Sequence, residues 1–459
     1  MECTQTDIFD QVVSILRNRF EQDDKALLLP EPARLEAILQ ESGDCALPET
    51  GQPLEAVAQR LGQLLASTPS TTGSRFFNQL FGGRDEAALL GEIAATAMNN
   101  SMYTYKAAGA QVLLERTLIA HMASLVGYQA AEGMFVPGGS LSNLAAMLTA
   151  RNAALDGCRA KGFDGRTPAV YTSTESHYSV RKSAGMLGIG RDNVRFIEVD
   201  DRGRMKPDAL ARAIDEDLSA EVVPVMVNAT AGTTVRGVFD PIRQLAAVTK
   251  ERGVWLHVDG AFGGSVLLSP QRRSLLDGCE LADSFSWDAH KMMGVPLTCS
   301  VVLFSKPGVL QENLDESAGY LFQQDDDLYN PGTRSLQCGR RNDALKLWTA
   351  WQFHGTQGYA RRIEHLFGLA EYAAQIIRED PTMTLAEDPQ SVNVCFTVQG
   401  VSPEAICDYL DRSGAIKVGH GLVKGHSTIR LVCVNANLAT EDIDRFFDEV
   451  KQAAQALAC

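Results

Sequence analysis

Among the 459 residues there is no Cys-x-x-Cys pair, no run of eighteen apolar residues, and no basic N-terminal stretch leading into an apolar core. The ten cysteines are scattered without the spacing of a zinc site or a disulfide framework. Several sit inside apolar runs, as Cys395 does between Val394 and Phe396 and Cys433 between Val432 and Val434, where a thiol behaves as a small hydrophobe of a reducing compartment. Neither export by a signal peptide nor a membrane span is expected, and the expected location is cytoplasmic. Positive charge is also in deficit: 42 Lys and Arg face 57 Asp and Glu, a net charge of −15. That field repels phosphate backbones and anionic lipid, so neither nucleic acid nor a membrane is expected as a partner. It does not exclude a small anionic substrate, because a few local cations dominate the potential inside a cleft. Proline is sparse at 17 residues, and no internal repeat or low-complexity segment occurs. With 45% hydrophobic residues, the chain reads as a globular protein of enzyme size.

Periodicity divides the chain into three expected segments. Residues 1–84 read as a helical arm, with Ile8, Val12, Ile15 and Leu16 at helical spacing and Leu61, Leu64 and Leu65 repeating the pattern beyond the Leu27–Pro32 break. Residues 85–345 alternate helical stretches with short apolar runs at 169–172, 194–199, 222–227, 254–258 and 300–304. Strands apolar on both faces and separated by helices argue for a mostly parallel central sheet flanked by helices, which binds ligands at the carboxyl ends of its strands. Residues 346–459 read as a smaller C-terminal α/β domain, with strands near 391–398 and 428–434 and a closing helix over 441–457.

The chemistry concentrates at strand ends. Val258-Asp259-Gly260-Ala261 closes one buried strand, and Trp287-Asp288-Ala289-His290-Lys291 follows another about thirty residues later. A lysine able to form a Schiff base and a carboxylate able to keep a pyridine nitrogen protonated are the pair that pyridoxal 5'-phosphate requires. Either residue alone has an ordinary explanation, as a turn cap or a solvated surface lysine. Pro137-Gly-Gly-Ser140 precedes the helical run 144–151 and offers free backbone N–H groups and a hydroxyl to a phosphate. By itself it equally describes a helix cap. His177, just past the run at 169–172, is placed to lie on a cofactor ring.

With these motifs the sequence resembles the group II pyridoxal-phosphate-dependent decarboxylases, within the fold type I, aspartate aminotransferase-like enzymes. The resemblance runs from about Arg75 to the C-terminus. The segment Ala282–Ser300, together with Thr230–Thr234, Phe239–Pro241, Leu336–Arg340 and Tyr103–Tyr105, looks like the branch that decarboxylates cysteine sulfinate, aspartate and glutamate. It implies Lys291 as the Schiff-base lysine, Asp259 as partner of the pyridine nitrogen, and His177 and Ala261 as the two sides of the ring sandwich. It also implies Gly139, Ser140, Thr230 and His290 among the cofactor contacts, Arg430 as the clamp on a substrate acid group, and Tyr329 as the acid that returns a proton. A guanidinium fork suits a carboxylate or sulfinate in two-point contact. The trio Phe81, Ser101 and Tyr103, with Gln79 nearby, is similar to the cysteine sulfinate and aspartate enzymes. A bulkier Phe81 shortens the cleft and disfavours glutamate by about 1–3 kcal/mol per methylene. The products implied are hypotaurine or β-alanine, and family members are homodimers with the site at the interface. A glutamate decarboxylase and a catalytically weak cofactor-binding regulatory partner are the alternatives. No metal is implied.

The sequence departs from the family pattern in three places. Asp288-Ala289 stands where Asn-Pro is usual, and an acid there would repel a phosphate dianion. Gly260 and Phe262 replace the usual Ala and Trp or Tyr around Ala261. The segment 320–332, which in the family carries the mobile loop with the tyrosine, is a few residues shorter than in the animal enzymes.

Overall fold

The computed structural model describes residues 5–23, 35–41, 47–316 and 329–458. They fall into two compact units. One takes in residues 84–371 and 388–394, and the other gathers 1–83, 372–387 and 395–459.

The larger unit is built on strands β1 (Glu132–Val136), β2 (Thr167–Ser173), β3 (Val194–Ile197), β4 (Val222–Thr230), β5 (Trp255–Gly260), β6 (Ser284–Asp288) and β7 (Ser300–Phe304). They form one sheet in the order β1-β7-β6-β5-β4-β2-β3. The run from β3 through β2, β4 and β5 to β6 is parallel, and β7 lies antiparallel to both of its neighbours. Every residue of β6 and β7 is buried, as expected of strands covered on both faces. This is the α/β architecture that the apolar runs imply.

The helix Gly139–Ala154 shows how sequence sets the packing. Its buried face is nearly all small, with Ala145, Ala146 and Ala150 around Met147, so it lies close against the sheet. Met147 and Ala150 join Val170, Val225 and Met226 in one core cluster, while Ala145 and Ala146 join Met134, Val136, Val302 and Phe304 in another. Each large apolar side chain buried in this way contributes about 1.5–3 kcal/mol. The packing holds the N-terminus of the helix near the ends of β5 and β6, where a Cβ on Gly139 would lie 3.0 Å from the Cβ of Ala261.

The smaller unit has a second sheet of β8 (Met383–Leu385), β9 (Asn393–Val398), β10 (Gly419–Val423) and β11 (His426–Val432), in the order β10-β11-β9-β8. Lys424 and Gly425, at φ 52° and 80°, make the two-residue turn between β10 and β11, a hairpin geometry that requires positive φ at both positions. Phe446 and Phe447 of the helix Thr440–Ala458 cover the sheet, their rings packed against Phe77 at 5.0 Å and Phe396 at 5.6 Å respectively.

The expected helical arm does not stand alone. Lys417 N–H donates to the Arg75 carbonyl, Phe77 N–H to that of Lys417, and Val432 N–H to that of Phe77, so residues 75–77 are stitched into the C-terminal strands. The grouping therefore differs from three consecutive segments, because backbone pairing joins residues 340 positions apart. Among the described residues, no helix is long and apolar enough to cross a membrane.

Candidate active site

Asp259 is the penultimate residue of β5 and is 5% exposed. Oδ1 accepts from Ala261 N–H at 3.1 Å and from Ser286 Oγ at 3.2 Å, while Oδ2 accepts from Asn143 Nδ2 at 2.7 Å. Behind it runs a chain whose directions are set by donor count. The Asn143 amide donates to Asp259, so its oxygen accepts, and His257 Nε2 at 3.0 Å is the donor. His257 Nδ1 then accepts from Ser284 Oγ at 2.9 Å, and that oxygen takes the Trp255 indole N–H at 2.9 Å. Burial pushes the His257 imidazole down to about 4, against the opposing pull of Asp259, so it is a neutral link.

Asn143 also donates to Ser179 Oγ at 3.0 Å. That hydroxyl lies 2.9 Å from His177 Nδ1, which also accepts the Ser179 backbone N–H at 3.3 Å. The proton of a neutral His177 therefore sits on Nε2. Burial lowers its pKa, with Asp259 and Asp288 opposing and Lys291 reinforcing. One amide, Asn143, thus orients both the carboxylate and the imidazole. Neither Asn143 nor His257 stands out in the sequence as a site residue. The signal was the asparagine's place one turn into the helix that follows Gly138-Gly139-Ser140.

Lys291 follows β6 by three residues, and its Nζ lies 3.2 Å from Asp288 Oδ2. His290 is buried, with Nδ1 at 3.1 Å from the Cys299 backbone N–H and 3.0 Å from the Cys299 carbonyl, and burial lowers its pKa. Ala261 is buried, and Thr230 faces Asp259 across the paired strands β4 and β5. Gly138, at φ 100°, turns the chain into the helix that begins with Gly139 and the exposed Ser140. Lys291, Asp259, His177, Ala261, Gly139, Ser140, Thr230 and His290 all lie in the larger unit, around the ends of β2, β4, β5 and β6.

The other expected residues are placed separately. Ser101 Oγ accepts the Arg340 backbone N–H at 3.0 Å, and the Tyr103 carbonyl accepts from Gly332 N–H at 2.8 Å. Tyr329 is 37% exposed, edge-on to Tyr105 at 6.3 Å and under the Arg116 guanidinium at 5.6 Å. Residues 317–328 of the expected mobile loop lie outside the described residues. Arg430, Phe81 and Gln79 belong to the smaller unit. Arg430 Nη2 donates to the Asn78 carbonyl, and Phe81 packs on Phe76 at 6.2 Å.

The sequence matches the model of the pyridoxal-dependent decarboxylase conserved domain over residues 37–399. The chain belongs to the pyridoxal-dependent decarboxylases. This decarboxylase is 38% identical to human cysteine sulfinic acid decarboxylase over 93% of its own chain and 90% of the relative. It is 35% identical to the bovine acidic amino acid decarboxylase GADL1, covering 91% of this chain and 84% of that protein. The crystal structure of mouse CSAD superposes with a TM-score of 0.91 at 34% identity, covering 97% of this chain and 98% of that one. In fold alone, it also matches the Oryza sativa TDC structure with PLP and tryptamine, at a TM-score of 0.91 and 22% identity.

The enzyme is a pyridoxal-phosphate-dependent amino acid decarboxylase, and the residues present fit the cofactor. Thr230 Oγ1 and Ser142 Oγ are buried hydroxyls with no hydrogen-bond partner among the described residues. Buried polar atoms are as a rule satisfied, and a ligand supplies what the protein does not. A lysine amine, a clamped carboxylate and an open helix N-terminus are the donor set that an aldehyde, a pyridine nitrogen and a phosphate call for.

Proposed function

We propose that this decarboxylase removes the α-carboxylate of a short acidic amino acid, turning cysteine sulfinate into hypotaurine or aspartate into β-alanine. The observation that carries the reading is the 38% identity to human cysteine sulfinic acid decarboxylase along 93% of the chain. The Phe81, Ser101 and Tyr103 trio and a half-buried Arg430 held by the Asn78 carbonyl support it.

Pyridoxal phosphate, when bound, supplies an electron sink for the pair left on Cα as CO2 departs. Lys291 would hold the cofactor's aldehyde through its amine. Asp259, clamped by Ala261, Ser286 and Asn143, keeps negative charge for the ring nitrogen's proton. His177, with its proton on Nε2, and Ala261 hold the ring between them. Gly139 and Ser140 would hold the phosphate, and Thr230 and His290 would be further contacts to the cofactor. Arg430 grips the side-chain acid, and the bulk of Phe81, with Ser101, Tyr103 and Gln79, limits its length. Tyr329 returns one proton to Cα, balancing the loss of CO2.

The active form in this reading is a homodimer in the cytoplasm. The exposed Leu90, Ile93 and Met98 on the helix Glu86–Met98 and the buried thiols of Cys279, Cys299 and Cys433 support those two points. Parallel assays of aspartate, cysteine sulfinate and glutamate, scoring CO2 and amine, test the substrate. Turnover of either short acid above glutamate is expected, and glutamate as clear best substrate overturns the assignment.

A further inference from the structure

We propose that Asp288 and the phosphate group of the cofactor hold one proton between them, so that loading this enzyme takes up a proton at residue 288. The proposal rests on the reading of Gly139 and Ser140 as the phosphate site.

Asp288 is the last residue of β6 and is 1% exposed. Its Oδ2 lies 3.2 Å from Lys291 Nζ and 3.6 Å from His290 Nε2. Its Oδ1 has no hydrogen-bond partner among the described residues. Both oxygens face the start of the helix Gly139–Ala154, since a Cβ built on Gly139 would stand 2.7 and 3.1 Å from them. The acid therefore abuts the first residue of a helix whose free N–H groups and dipole attract an anion.

Two anions in one buried place do not both stay ionised; one takes a proton and becomes a donor to the other. The unpartnered Oδ1 is the atom such a proton would occupy, turning an unsatisfied acceptor into a donor. The surrounding charges do not remove the conflict. His177, from the loop after β2, and His290 both have their pKa lowered by burial, so neither is a standing cation. Asp259 at the end of β5 adds negative charge, and the Cys299 thiol beside β7 is pushed well up by burial and stays neutral. Lys346, from the helix Asp343–Glu379, is engaged with Glu92 and Asp343. Lys291 is the cation in contact with Asp288, and it would be drawn from that contact when its nitrogen anchored the cofactor.

The sign follows from linkage. If the loaded protein binds one proton more than the stripped protein, affinity falls as pH rises, by about tenfold per unit. The experiment titrates cofactor-stripped enzyme and its isosteric variant Asp288→Asn with pyridoxal phosphate and with pyridoxal, which lacks the phosphate, from pH 7 to 9. Binding is read by absorbance, and thermal melts confirm that both proteins are folded. Effects of Lys291 ionisation appear with both ligands and cancel in the ratio of their affinities. In the parent that ratio should fall about tenfold per pH unit, whereas in Asp288→Asn it should change less than about twofold. The same pH trend in both proteins overturns the shared proton while leaving the cofactor site standing. A parent protein that binds pyridoxal phosphate no better than pyridoxal at pH 7 overturns the phosphate-site reading itself, and this proposal with it.

Discussion

In the proposed reading, Arg430 binds the side-chain acid of the substrate. Burial lowers its pKa, yet the guanidinium stays cationic, because arginine begins far above neutrality. Its Nη2 is tied to the Asn78 carbonyl, which limits the rotamers it explores before a substrate arrives. A charge-assisted bond of this kind is worth about 1.5–3 kcal/mol, or roughly 10- to 150-fold in binding. Arg430→Ala should therefore raise KM for the acidic substrate by about that factor, with a smaller change in kcat. Arg430→Lys should recover only part of the loss, since an ammonium lacks the two-point fork. Steady-state kinetics on both variants check this, and an unchanged KM in Arg430→Ala would remove the residue from the substrate site.

At the scale of elements, the turn that carries Lys291 is braced from outside. Arg362, on the helix Asp343–Glu379, donates from Nε to the Met292 carbonyl at 3.1 Å, one residue past Lys291, and from Nη1 to Asp85 at 3.2 Å. Asp85 is buried, caps the helix Glu86–Met98 by accepting Ala88 N–H at 2.9 Å, and meets His354 Nε2 at 2.5 Å. Removing the charge of Asp85 while keeping its shape leaves Arg362 buried without its counter-ion, which costs about 3–5 kcal/mol. Asp85→Asn should lose that much in denaturant unfolding despite keeping an N-cap side chain, and a loss below about 1 kcal/mol would show that the brace is incidental. The apolar runs made β2, β3, β4, β5 and β7 legible from the sequence, whereas β1 was not. It reads Glu132-Gly-Met-Phe-Val, and its glutamate is buried because Oε2 accepts the Leu310 N–H at 2.8 Å from a distant helix. Gly133 is there because a Cβ would come within 2.8 Å of the Val302 carbonyl. Both reasons lie on other elements, so neither leaves a local signature. The short β8 and the half-exposed β10 were equally silent.

Over the whole molecule, stability and site share a buried polar network, which gives the protein an acid-side weakness. His257 has a folded value of about 4 against about 6.5 in an unfolded chain. Its contribution is complete above pH 6.5 and is lost as pH falls toward 4, at most about 3 kcal/mol. Urea unfolding of the cofactor-stripped protein should show that slope, and His257→Gln should flatten it; parallel curves would mean that the imidazole does not resist protonation. The comparison isolates the histidine from Asp240, whose carboxyl burial raises to about 6 and whose effect has the opposite sign. The sequence by itself determined the family, the cofactor and a mostly parallel sheet, and it pointed to Lys291, Asp259 and His177 as the proposed site, because the motifs are local: a strand end, a turn, a lysine at a fixed offset. Tertiary structure alone decided that Asn143, itself held by His257, clamps Asp259, that Asp288 faces Gly139, and that residues 75–77 pair with the C-terminal strands. Those partners are brought together by the packing of helix on sheet and of one backbone against another, over separations of tens to hundreds of residues that leave no periodic trace along the chain.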